Sequence, residues 1–178
     1  GLDILVNNVF KIPDPPAWTG GFWEHPLQIW DDQVGIGLRA HYVASHSAVP
    51  LLMGRENALI ANITSPAGFT YLFNAAYSIG KAGLDRMTHD LGFELIEHGV
   101  AVVGMRPGPV LTEFIEDQAA SGVQVSLEGV ETPIYVGRVV AAAAADPELM
   151  SMTGRVHWTS RLGRQYEIID ENGETPML

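Results

Sequence analysis

The chain has 178 residues, no cysteine, and 21 acidic against 10 basic residues, for a net charge of −11. The missing cysteine excludes disulfide scaffolds, thiol nucleophiles and cysteine-bound zinc. The acidic balance argues against a phosphate-binding surface and hence against nucleic acid as a partner. An apolar share of 47% with 17% charged residues is that of one globular domain large enough to bury a core. No apolar run approaches the roughly 20 residues of a membrane helix, and no signal-peptide pattern opens the chain. These readings give no membrane partner and a cytoplasmic default.

The first predicted element begins almost at once. Asp3 to Val6 is an apolar run of the kind found in buried parallel strands, followed by Asn7-Asn8. Lys11 to Gly21 carries three prolines and reads as a surface loop. Leu27 to Met53 has the pattern of a long helix, weakened by Gly35, Gly37 and Pro50. Ala58 to Ile63 is a second strand, and Thr64-Ser65 follows it. Asn74 to His98 is the strongest helix. Leu84, Met87, Leu91 and Leu95 make one apolar face, and Gly99 stands at the C-cap position. Val100 to Met105 is a third strand, followed by Arg106-Pro107-Gly108-Pro109. Thr112 to Glu131 is a long connection, read as a lid or a surface excursion. Thr132-Pro133 opens a third helix that Asp146-Pro147 closes, and Arg155 to Thr159 is a weak fourth strand. Strands alternating with helices argue an α/β fold with a parallel sheet.

In such a sheet, ligands bind beyond the carboxyl ends of the strands. Asn7, Asn8, Thr64, Ser65 and the Pro107-Gly108 turn therefore line one edge. Each alone is an ordinary turn former. Tyr77 and Lys81 lie four apart and share a helix face. An ammonium beside a phenol favours the phenolate and lowers its pKa, which suits the phenol to proton transfer. Ser65, twelve residues earlier, can reach the same substrate oxygen. The reading is acid–base chemistry on a carbonyl or an alcohol. A metal centre is not indicated: His41 and His46 are five apart, and no His-Glu-x-x-His occurs. Ser65 lacks the Gly-x-Ser-x-Gly setting of a hydrolase nucleophile.

These motifs together resemble the short-chain dehydrogenase/reductase family. Leu2 to Asn8 resembles its Asn-Asn-Ala-Gly strand, and Asn62-Ile63-Thr64-Ser65 the strand that carries its serine. Tyr77-Ser78-Ile79-Gly80-Lys81 matches its Tyr-x-x-x-Lys, and Arg106 to Thr112 resembles its Pro-Gly-x-x-x-Thr segment. Trp30 to Tyr42 resembles one group of its members. The likeness runs from residue 1 to about residue 160.

The resemblance implies the C-terminal part of a Rossmann-like, doubly wound parallel sheet in a single domain over residues 1–178. It implies NAD or NADP as cofactor and a small-molecule carbonyl or alcohol as substrate. Tyr77 would be the proton donor or acceptor. Lys81 would lower its pKa and hold the nicotinamide ribose, and Ser65 would orient the substrate oxygen. Asn7, Asn8, Pro107, Gly108, Val110 and Thr112 would contact the cofactor, Thr112 at the carboxamide. A homodimer or homotetramer through the long helices is implied as well. The sequence departs from the family in three places. Val9-Phe10 stands where the family has Ala-Gly. Gly37 stands where it has a relay asparagine, although the Gly37 carbonyl could hold the same water. No glycine-rich phosphate loop is present, so a truncated N-terminus is expected, with Ile4 to Val6 as an open edge and weak cofactor binding. A noncatalytic interaction module is the alternative function. Phe69, Tyr71, Leu72, Phe73, Phe114 and Ile115 read as a substrate pocket or as core and subunit contacts.

Overall fold

A computed structural model describes residues 1–14, 17–121 and 129–176. Four parallel strands lie in chain order: β1 (Ile4–Asn7), β2 (Ala58–Ile63), β3 (Val100–Arg106) and β4 (Val156–Trp158). Leu5 pairs with Ile60, Ile60 with Val102, and Gly104 with Val156. β2 is buried at all six positions, and β3 at its first six of seven. That explains their unbroken apolar runs: a parallel strand covered on both faces has no polar side to alternate with.

Helices cover the two faces. On one, α2 (Ala40–Leu52) and α3 (Ala75–Leu95) pack against Ala58, Ile60, Val100 and Val102. On the other, α5 (Pro133–Ala145) and α6 (Thr159–Gln165) meet Leu59, Ala61, Ile63, Ala101, Val103 and Met105. Each fully buried Leu, Ile or Val stabilises the fold by roughly 1.5–3 kcal/mol. The predicted stripe on α3 faces inward, with Leu84, Met87 and Leu95 buried.

Side chains and turns fix the helix ends, and Gly99 and Thr132 act as read. The Asn74 side chain accepts from Tyr77 N–H at 2.9 Å and caps α3. Gly99 ends the following 3-10 turn (Ile96–His98) at φ 68°, a conformation glycine adopts without cost. Thr132 caps α5, with Pro133 in its first turn.

Three differences from the sequence reading have physical causes. The helix from Leu27 to Met53 runs from α1 (Gln28–Trp30) into α2 through nine π-helical residues, Asp31–Arg39. The Asp32 carboxylate, which accepts from Lys11 and Gln28, and the Gln33 amide, which donates to the Lys11 carbonyl, tie this wide turn to the preceding loop. The connection from Thr112 to Glu131 contains α4 (Glu113–Ala120), capped by Thr112; residues 122–128, with the rest of the expected lid, lie outside the described residues. Thr159 opens α6 instead of closing β4. The outer edge of β1 pairs with no strand among the described residues, leaving Ile4 and Val6 exposed.

Candidate active site

The carboxyl ends of β1, β2 and β3 bring most of the predicted residues to one edge. Ser65 follows β2, is buried, and caps a short 3-10 turn (Pro66–Gly68) by accepting from Ala67 N–H at 3.2 Å. Tyr77 and Lys81 project from the first two turns of α3. Lys81 is buried, and its ammonium donates to the Ile63 carbonyl at 3.0 Å. That bond seats the helix on the end of β2. The Lys81 nitrogen lies 5.9 Å from the Tyr77 ring centroid and 5.9 Å from that of Phe10.

The electrostatics correct one expectation. Burial pushes the Tyr77 phenol above its usual value of 10, while the Ser65 side chain draws it back. Lys81 sits against the ring, and desolvation outweighs any lowering by the ammonium. Burial also pulls Lys81 itself down to about 8, against the opposing charge of Asp85.

Aromatic side chains flank the phenol. Phe10 meets Tyr77 edge-on at 5.5 Å, Phe73 lies 5.3 Å away, and Trp18 packs on Phe73 at 4.5 Å. Phe73 holds φ at 63°, which costs a non-glycine residue on the order of 1–3 kcal/mol. Phe69, Tyr71 and Phe73 remain exposed and do not join the core.

The remaining predicted residues have separate anchors. Asn7 is buried and its amide turns inward, donating to Ser45 Oγ at 2.9 Å and to Asn62 Oδ1 at 2.8 Å. Asn62 in turn donates to Thr88 at 2.9 Å, so this network joins β1, β2, α2 and α3. Asn8 is exposed beyond it, and Pro107 is buried after β3. Gly108 N–H donates to the Glu131 carboxylate at 3.2 Å. Val110 bridges to Glu131, and the exposed Thr112 caps α4 through Ile115 N–H. A Cβ at Gly37 would meet nothing within 4 Å.

Two carboxylates that sequence reasoning missed support this edge. Glu131 is fully buried, accepts from the Thr159 hydroxyl at 2.6 Å, and is pushed upward by burial. Asp85 accepts from Thr64 and Arg106. Asp85 carried a signal in its place one turn after Lys81; Glu131 carried none. A groove of about 340 Å3 lies away from these groups, between α2 and α3, where Tyr42, Val49, Leu91 and Leu95 line it. Among the described residues, no His, Asp and Glu cluster could hold a metal, and no helix is long and apolar enough to cross a membrane.

Comparison with known proteins decides the family. The family model described as short chain dehydrogenase matches residues 1–121. The chain belongs to the short-chain dehydrogenase family. It is 35% identical over 184 aligned residues to the mouse protein named Dehydrogenase/reductase SDR family member 1, covering 97% of this chain and 59% of that one. It is similar in fold to a short-chain dehydrogenase from Mycobacterium thermoresistibile, with a TM-score of 0.77 and 23% identity over 99% of this chain and 61% of that one. A 3-oxoacyl-[acyl-carrier protein] reductase with bound NAD from Brucella melitensis matches at a TM-score of 0.72 and 24% identity, over 88% and 60%. The chain thus spans about three fifths of the length of these relatives.

Proposed function

We propose that this chain carries the proton-transfer half of an NAD- or NADP-dependent oxidoreductase that interconverts a small-molecule alcohol and carbonyl. The observation that carries this reading is the convergence of Ser65, Tyr77 and Lys81 at the end of β2. The Ser65 side chain draws the phenol's pKa down against burial, and the Lys81 ammonium, 5.9 Å from the phenol ring, donates to the Ile63 carbonyl.

The residues fit a nicotinamide nucleotide. Lys81 spends one of its three N–H donors on Ile63, leaving two for ribose hydroxyls. Asn8, Pro107, Gly108, Val110 and Thr112 would complete the binding edge, and Asn7 would support it from inside. When bound, the nicotinamide supplies the hydride chemistry. The protein supplies the proton. Tyr77, held above its usual pKa by burial, carries its proton at neutral pH, which is the state that reduction needs. It gives that proton to the carbonyl oxygen while the Ser65 hydroxyl donates to the same atom. The nearby Lys81 charge stabilises the phenolate that results. In oxidation the roles reverse, and the phenolate must form first.

Phe69, Tyr71 and Phe73 would line the substrate side with apolar surface. Exposed Tyr42, Val43 and Phe93 on α2 and α3 suit a homodimer or homotetramer. In the protein from the complete gene, Tyr77→Phe should abolish carbonyl turnover with cofactor affinity nearly unchanged. Turnover like wild type would reject Tyr77 as the acid. The 178 residues alone should bind NADPH and NADH weakly; micromolar affinity in a titration would refute that.

A further inference from the structure

Helix α3 carries a third chemistry-bearing side chain in line with the first two: Tyr77, Lys81 and Asp85 follow one another a turn apart. Asp85 is held from two neighbouring segments. Arg106 donates from Nη2 to its Oδ2, and the Thr64 hydroxyl donates to Oδ1. Thr64 directly precedes Ser65, and Arg106 directly precedes Pro107. One carboxylate therefore fastens both neighbouring segments to the helix that carries Tyr77 and Lys81.

The contact is enclosed. The side chains of Arg106 and Asp85 are 12% and 17% exposed. The guanidinium lies 4.7 Å from the Phe69 ring and 5.5 Å from the Trp158 ring. Gly68 leaves room for the carboxylate, since a Cβ there would collide with Asp85 Oδ2. Spacing of four on a helix invites a Lys81–Asp85 ion pair. Lys81 instead donates to the Ile63 carbonyl, and Asp85 is engaged by Arg106 and Thr64.

We propose that Asp85, one turn beyond Lys81 on α3, is a positioning residue that fixes the Ser65 and Pro107 segments against that helix, with Arg106 paired to its carboxylate. The inference rests on the oxidoreductase reading of the same site. Four charged or titratable groups face or neighbour Lys81: Tyr77 and Asp85 from α3, His41 from α2 and, through Asp85, Arg106 from β3. Removing the Asp85 charge disfavours the ammonium. Removing the Arg106 charge leaves Asp85 less compensated and favours it.

The test uses Asp85→Asn, Asp85→Glu and Arg106→Met in the protein from the complete gene. Lys81 is titrated by 13Cε NMR without cofactor, and kcat and KM are followed over pH with a ketone panel and NADPH or NADH. Asp85→Asn should lower the Lys81 midpoint, move the basic limb of activity to lower pH and reduce kcat by about ten- to a hundredfold. Arg106→Met should move the midpoint and the limb the other way, and Asp85→Glu should restore the wild-type limb. A merely structural role would lower stability in both charge variants and leave the Lys81 midpoint still; that result, or shifts of the same sign, overturns the proposal. Opposite shifts in a protein that turns over no carbonyl would overturn the oxidoreductase reading and leave the positioning role standing. An active wild type with unmoved midpoints would overturn only the positioning role.

Discussion

Gly80 lies between Tyr77 and Lys81, buried in α3. Replacing it with Ala sets two effects against each other. A helix-interior Gly→Ala change gains about 1 kcal/mol. The added methyl, however, would lie 2.9 Å from the Gln33 carbonyl oxygen of the π-helical segment. That obstacle is backbone, so no rotamer relieves it, and crowding in a packed site costs about 1–3 kcal/mol. Gly80→Ala should therefore lose up to about 2 kcal/mol. Gly137 supplies the control: it lies inside α5, and a Cβ there meets nothing within 4 Å. Gly137→Ala should gain about 1 kcal/mol. The same chemical change then moves stability in opposite directions in two helices. Urea unfolding followed by circular dichroism reads both, with an unchanged m-value confirming that stability alone has shifted. In thermal melts each kcal/mol corresponds to about 2–4 °C for a chain of this size. If Gly80→Ala gains stability as Gly137→Ala does, the close approach of α3 to the π-helical segment is refuted.

Asn62→Ala should cost about 1–3 kcal/mol in urea unfolding, because it takes a buried partner from both Asn7 and Thr88; an unchanged midpoint would dismiss the network as a stabilising element. His41 is buried, and desolvation, aided by Lys81, lowers its pKa from 6.5 to about 4. Between those values the unfolded chain binds the extra proton. His41 thus contributes on the order of 3 kcal/mol that is present above pH 6.5 and is lost as pH falls toward 4. His41→Phe should flatten the pH dependence of unfolding across that window, and an equally steep slope in the variant would assign the acid sensitivity to other groups.

The strands and the ordered motifs were legible because each carries its own local cause. β2 is apolar throughout because it is covered on both sides, and Asn74 and Thr132 cap the helices that they precede. The π-helical turn was illegible, since nothing in Asp31–Arg39 distinguishes it from an α-helix with two glycines; its anchors come from Lys11, outside the element. Spacing placed Tyr77 and Lys81 on one face, but it contains no information on burial, and burial decides which way the phenol shifts. Glu131 was invisible for the same reason: its partners Gly108 and Thr159 are more than twenty residues away on either side.

The sheet divides the interior into two cores that alternate residue by residue along β2: Leu59, Ala61 and Ile63 face one way, Ala58 and Ile60 the other. Backbone stands between them, so a cavity opened beside α5 is not filled from the side of α2 and α3. Lineages of this protein can therefore exchange side chains behind α5 and α6 while the layer that bears the phenol and the ammonium keeps its own packing.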